Sequence, residues 1–232
     1  MSNDAALAYS GPQLHVERWG SGAPLLLTHG LGSSSATWLP LRPHLRPGWA
    51  VTSWDLRGHG RSEAAEVYSR DAALADLAAV VEEAAGAAPA VLVGHSLGGY
   101  LSLALAIARP ELVRALVLVA AGPGFRDQAR REAWNRMLAE QAARLGVPVA
   151  VTGLCAQPDT FVLDGLDRVD VPVVAVVGAR DRRFHAAAEV FQQRLGARVH
   201  IIPGAGHHPH ETHPVEVATA IDELLDQLEA RL

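Results

Sequence analysis

Two apolar patterns alternate along the chain. The first is a set of short runs: PLLLTHG (24–30), AVLVGHS (90–96), VRALVLVAAG (113–122) and VPVVAVVGARD (171–181). Each is nearly continuous in apolar residues, as strands covered on both faces are. LHVERW (14–19) alternates apolar and polar residues and predicts an edge strand. AVTSWDLRGHG (50–60) predicts a strand that leaves into a glycine-punctuated loop, and RVHIIPGAGH (198–207) the last strand. The second pattern has helical spacing. Leu74, Leu77, Val80, Val81 and Ala84 mark a helix over 70–85, stopped by Gly86. Residues 97–109 are apolar on almost every side, which predicts a buried helix closed by Pro110. A short helix is expected over 185–195. The last begins at Pro214, with Ile221, Leu224, Leu225 and Leu228 in one stripe. Strands alternating with helices predict an α/β fold: a mostly parallel central sheet with helices on both faces.

One region breaks the alternation. Residues 123–170 are far longer than a crossover needs and hold an amphipathic helix, roughly 127–145, with Trp134, Met137, Leu138, Gln141 and Leu145 on one side. This predicts a small helical cap over the end of the sheet, with 1–122 and 171–232 forming the core. Trp134, Met137, Leu138 and Phe161 are the expected apolar lining of a pocket beneath it, the alternative being that they simply pack the cap against the core.

Composition narrows the chemistry. The 232 residues carry a formal charge of −5 with no basic stripe, which argues against nucleic acid as a partner. The first twenty residues have neither the basic start nor the apolar core of a signal peptide, and no segment approaches a membrane span, so a cytoplasmic protein is expected. The single cysteine, Cys155, excludes an intrachain disulfide and a cysteine-based zinc site. All 20 Lys+Arg residues are arginine. That excludes Schiff-base chemistry, a pyridoxal-phosphate anchor and the lysine of a phosphate loop.

Gly94-His95-Ser96-Leu97-Gly98 fits G-x-S-x-G between a strand and a helix, the setting of a nucleophile elbow. The turn pushes the serine out above the sheet, and glycines on either side avoid collision with neighbouring backbone. Ser96 is therefore the candidate nucleophile. It needs a base, and His207, first after the last strand and its Gly-Ala-Gly turn, belongs at the same sheet edge. His208, His210 and His213 read as a polar loop; their spacing invites a metal, but only Glu211 offers a nearby carboxylate. Asp181, at the end of its strand, is the candidate acid that orients His207; Asp159, Asp164 and Asp167 are less well placed. For an oxyanion hole, the backbone N–H groups of Leu97 and of Leu31, in HGLGSS (29–34), are the candidates. His29 and Gly30 shape that turn, Trp38 packs beneath it, and Arg57 and His59 read as structural.

With these residues in view the chain resembles the α/β-hydrolase-fold serine enzymes over nearly its whole length. HGLGSSSATW, DLRGHGRS, GHSLGGY, VVGARD and GAGHHPHETHP stand in that family's order. The resemblance implies Ser96 as nucleophile, Asp181 as acid, His207 as base, and no metal or organic cofactor. Serine at 96 disfavours the branches that attack through aspartate. A finer similarity, in DRRF, GHHPHETHP and PGFRDQARREAW, is to the menaquinone-pathway synthase that eliminates pyruvate. His95 and Tyr100 depart from it, standing where that branch has tyrosine and arginine. The expected function is hydrolysis of a carboxylic ester or related acyl bond of a small molecule. Carbon–carbon bond hydrolysis, the lyase, and a non-catalytic receptor are the alternatives.

Overall fold

The computed structural model describes residues 9–230. The chain enters the sheet with β1 (Val16–Gly20), β2 (Gly22–Thr28) and β3 (Gly48–Trp54). Then α1 (Arg70–Ala85), β4 (Ala90–His95), α2 (Leu97–Ala108) and β5 (Val113–Val119) follow in regular alternation. The segment 123–170 holds α3 (Gln128–Gln141) and the short α4 (Phe161–Gly165). The chain then returns through β6 (Val173–Gly178), α5 (His185–Leu195), β7 (Arg198–Ile202), the single turn α6 (Pro209–Thr212) and α7 (Pro214–Glu229). The strand order is β1-β3-β2-β4-β5-β6-β7. Among the described strands only the β1–β3 pairing is antiparallel.

Period-two alternation divides the strand side chains between two cores. Leu26, Leu92, Leu116, Leu118, Val173 and Ala175 face α1, α2 and α5. Their neighbours Leu25, Leu27, Val91, Val93, Val117 and Val174 face α7 and the Trp38 loop. Register keeps each set on its own face: Leu26 pairs with Leu92 and Leu92 with Leu116. The expected stripe of α7 is buried against the second core, and α2 is buried along nearly all its length. A fully buried Leu or Val side chain contributes about 2 kcal/mol, so these two faces supply most of the driving force.

Because β2 and β4 through β7 run parallel, their carboxyl ends share one edge. The order reverses between β2 and β4, and such a switch point opens a crevice above those ends. The loops after β2, β4, β5, β6 and β7 all meet there. The excursion after β5 lies over this edge, with Leu138, Val151, Leu154 and Val162 packed into the first core. Helix α3 is shorter than the sequence pattern suggested. It begins with Asp127 accepting a hydrogen bond from the Arg130 N–H (2.9 Å) and ends at Gln141. Beyond it the chain turns through Gly146 at φ 67°, leaving Leu145 exposed.

Candidate active site

Ser96 stands between the last residue of β4 and the first of α2, with φ 50° and ψ −108°. Only Ser96 and Ala120 combine a side chain with positive φ among the described residues, and they end adjacent strands. Such strain persists only where surroundings enforce it. Here close packing does so. A methyl group at Gly94 would collide with the backbone of Gly98, and one at Gly98 with the carbonyl of Thr28. The strand and helix can approach closely enough to hold the turn because neither position carries a Cβ.

His207 Nδ1 lies 2.6 Å from Asp181 Oδ2, and its Nε2 lies 3.2 Å from Ser96 Oγ. A carboxylate only accepts, so Nδ1 carries the proton and Nε2 presents its lone pair to the serine hydroxyl. Asp181 is buried, whereas His207 is a third exposed at its side chain. Their loops are tied together by the Arg180 N–H donating to the Ala205 carbonyl (2.9 Å). Phe184 stacks on the His207 ring at 4.9 Å, with 23° between planes. The fallback acids lie in other pairings: Asp159 with Arg70, Asp164 with Arg126 and Asp167 with Arg194.

The turn after β2 is braced from below. His29 Nδ1 donates to the Gly30 carbonyl (2.7 Å), and its Nε2 accepts from Leu56 N–H (2.9 Å). His59 Nε2 accepts from Gly32 N–H (3.1 Å). Burial pushes the His29 pKa down to about 3, with His59 adding to the effect, so His29 stays a neutral brace. Asp55 accepts from the N–H groups of Ser35 and Arg61. Arg57 forms a buried bidentate pair with Asp76, both bonds 2.6 Å. These contacts bring Gly30 beside Ser96, where a methyl group would stand 3.3 Å from the serine Cβ. Leu31 follows it, and Leu97 opens α2, so both candidate oxyanion donors belong to segments bordering Ser96.

A cavity of about 690 Å³ opens beside Ser96. Of the four residues named from the sequence, Trp134 and Met137 line it. Leu138 and Phe161 correct that expectation. Leu138 is turned into the core, and Phe161 sits under the guanidinium groups of Arg70 (4.8 Å) and Arg168 (5.7 Å). The wall instead takes Tyr100, Phe125, Leu163, Phe184 and Val190, with Gln157 and three arginines, Arg126, Arg130 and Arg183. Cys155 also borders it, its thiol pKa pushed up to about 12 by burial, which keeps it protonated.

Among the expected loop histidines, His210 is the surprise. It is fully buried, packed on Trp38 with ring centres 4.5 Å apart, while His208 is exposed. His95 is buried beside His210, their ring centres 4.4 Å apart.

A sequence profile of the alpha/beta hydrolase fold matches residues 23–152. The chain belongs to the alpha/beta hydrolase family. Lipase LipV of Mycobacterium tuberculosis is 35% identical over 228 residues, covering 94% of this chain and 85% of that protein. A thermophilic esterase from Thermogutta terrifontis superposes with a TM-score of 0.79 at 26% identity, covering 93% of each chain. A Bacillus subtilis protein bearing the name 2-succinyl-6-hydroxy-2,4-cyclohexadiene-1-carboxylate synthase is 25% identical, covering 86% of this chain and 89% of that one. The chain is thus a member of this family with esterase and lipase relatives. No helix of the described residues is long and apolar enough to cross a membrane.

Proposed function

We propose that the chain is a serine hydrolase that cleaves a carboxylic ester, or a related acyl bond, of a small to medium-sized substrate. The observation that carries this reading is the contact series Asp181–His207–Ser96 beside a largely apolar cavity. Ser96 Oγ attacks the acyl carbon as its proton passes to His207 Nε2. Asp181 holds the imidazole in the required tautomer and stabilises the imidazolium. The N–H groups of Leu31 and Leu97 receive the oxyanion, each such donor contributing about 3 kcal/mol. The intermediate collapses, the leaving alcohol takes the proton from His207, and the acyl group stays on Ser96. Water then gives a proton to His207 and attacks the acyl-serine, releasing the acid and restoring the hydroxyl. Trp134, Met137, Leu163 and Val190 suit an apolar acyl or alcohol part.

The lyase is the second reading, and the three arginines on the cavity wall favour it by suiting an anionic substrate. The greater identity to the lipase, 35% against 25%, weighs for the ester. A fluorophosphonate probe and a panel of nitrophenyl esters separate the two. Labelling at Ser96 with ester turnover supports the ester reading. Labelling without turnover, with pyruvate released from the synthase substrate, replaces it by the lyase. An unlabelled Ser96 in folded protein removes both.

A further inference from the structure

We propose that His95, His208 and His210 form a binding site for one borderline divalent transition-metal cation of the zinc class, behind the imidazole of His207 and separate from the acyl-transfer chemistry. Candidate ligand atoms of the three residues all lie within 4.8 Å of one another. The sequence grouped His208 and His210 with His213; the fold substitutes His95, from the end of β4. His213 instead places Nδ1 2.9 Å from the Thr212 hydroxyl.

Hydrogen-bond accounting identifies the free lone pairs. His95 Nε2 lies 2.9 Å from the His207 carbonyl, which only accepts, so Nε2 carries the proton and Nδ1 is bare. Thr37 donates its one hydroxyl proton to Glu211, so His210 Nε2, 2.8 Å from that oxygen, is the donor there. His210 Nδ1 is therefore bare as well. Both Nδ1 atoms are buried without a hydrogen-bond partner, in rings whose centres are 4.4 Å apart. An unsatisfied buried acceptor costs about 1–3 kcal/mol, so each of these nitrogens calls for a partner, and one cation can serve both. Gly30 leaves room beside the first: any Cβ there would stand 2.7 Å from His95 Nδ1.

The second nitrogens complete the pattern. Metal-bound histidines commonly engage a carbonyl or carboxylate through the other ring nitrogen, which fixes the tautomer. His95 uses the His207 carbonyl, His210 reaches Glu211 through Thr37, and His208 Nδ1 lies 3.6 Å from the same carboxylate. Imidazole donors select zinc-class ions over magnesium or calcium. Zinc–nitrogen bonds of about 2.0–2.1 Å place tetrahedral ligand atoms about 3.3 Å apart, so atoms now within 4.8 Å of one another must close by up to about 1.5 Å on binding. His208, 45% exposed, is free to swing inward.

Calorimetric titration of the chelator-treated full chain with zinc chloride tests the site. One ion per chain, bound at low-micromolar affinity or tighter and ignoring competing magnesium, is expected. His208→Ala should weaken binding at least about 10-fold without changing metal-free thermal unfolding. His44→Ala, at an exposed histidine elsewhere, and His207→Ala should leave affinity unchanged. Absence of binding, equal binding by His208→Ala, or loss in His207→Ala overturns the proposal. So does a crystal grown with zinc in which a water, with no anomalous zinc signal, joins the two Nδ1 atoms.

Discussion

His207 Nδ1 lies 2.6 Å from Asp181 Oδ2 although 26 positions separate the two residues along the chain. The whole of α5 and β7 lies between them, and its function in this contact is to return the chain to the same sheet edge. Replacing Asp181 with Asn keeps shape and burial but offers an N–H to Nδ1. The ring then carries its proton on Nε2, facing Ser96, where it cannot accept. On the proposed mechanism kcat falls by about 10⁴-fold with little change in KM, measured on the best nitrophenyl ester. A loss under tenfold would show that the carboxylate does not set the tautomer.

Ser96→Ala should abolish ester turnover, by on the order of 10⁵-fold or more, while the unfolding midpoint stays near that of the parent chain. Removing a strained serine side chain leaves the glycine packing around it intact. Residual turnover near the parent rate would mean that another residue attacks.

Gly94→Ala probes the turn itself. The added methyl meets the Gly98 backbone, which has no rotamer to yield, so strand and helix must separate. We expect about 1–3 kcal/mol of destabilisation in urea titrations, together with loss of fluorophosphonate labelling as Ser96 is re-aimed. A fully labelled and equally stable variant would contradict this account of the elbow.

The Arg57–Asp76 pair sits under the loop that braces Gly32, with both side chains almost wholly buried. Asp76→Ala strands a guanidinium away from water and should cost about 3–5 kcal/mol. Combining it with Arg57→Met should recover much of that loss, because no buried charge then remains. A double variant no more stable than Asp76→Ala would place the cost in packing instead.

Acid should destabilise the chain through its buried histidines. His29 and His210 titrate near 3 when folded, chiefly because burial disfavours the charged ring, against about 6.5 unfolded. Between those values the unfolded chain binds protons that the native chain refuses, so stability rises with pH. Their contribution is whole above about pH 6.5 and is lost as pH falls toward 3. Each histidine removes about 2 kcal/mol between pH 6.5 and 5. Urea titrations in chelator at pH 7.5, 6.5 and 5 check this; a flat profile would mean that these rings are hydrated.

The strands were legible because their signals are local. Leu25 to Leu27 and Val91 to Val93 must be covered on both faces, and period two then assigns Leu26 and Leu92 to one core and their neighbours to the other. Gly94, Ser96 and Gly98 were readable because a sharp strand-to-helix turn restricts residue types within five positions. Phe161 and Leu138 were not. A helix pattern tells which residues share a face, but not whether that face meets a cavity, a core or a pair of guanidinium groups.

Composition and periodicity thus determined the sheet, its covering helices and the edge at which Ser96, Asp181 and His207 arrive, since those follow from chain-local burial and the direction of parallel strands. Tertiary structure alone decided the length of α3, the wall of the cavity and the burial of His210 beside His95. Those depend on contacts between residues far apart in the chain, such as Thr37 with His210, 173 positions away. No local pattern encodes them, because each side chain's surroundings are supplied by the other end of the sequence.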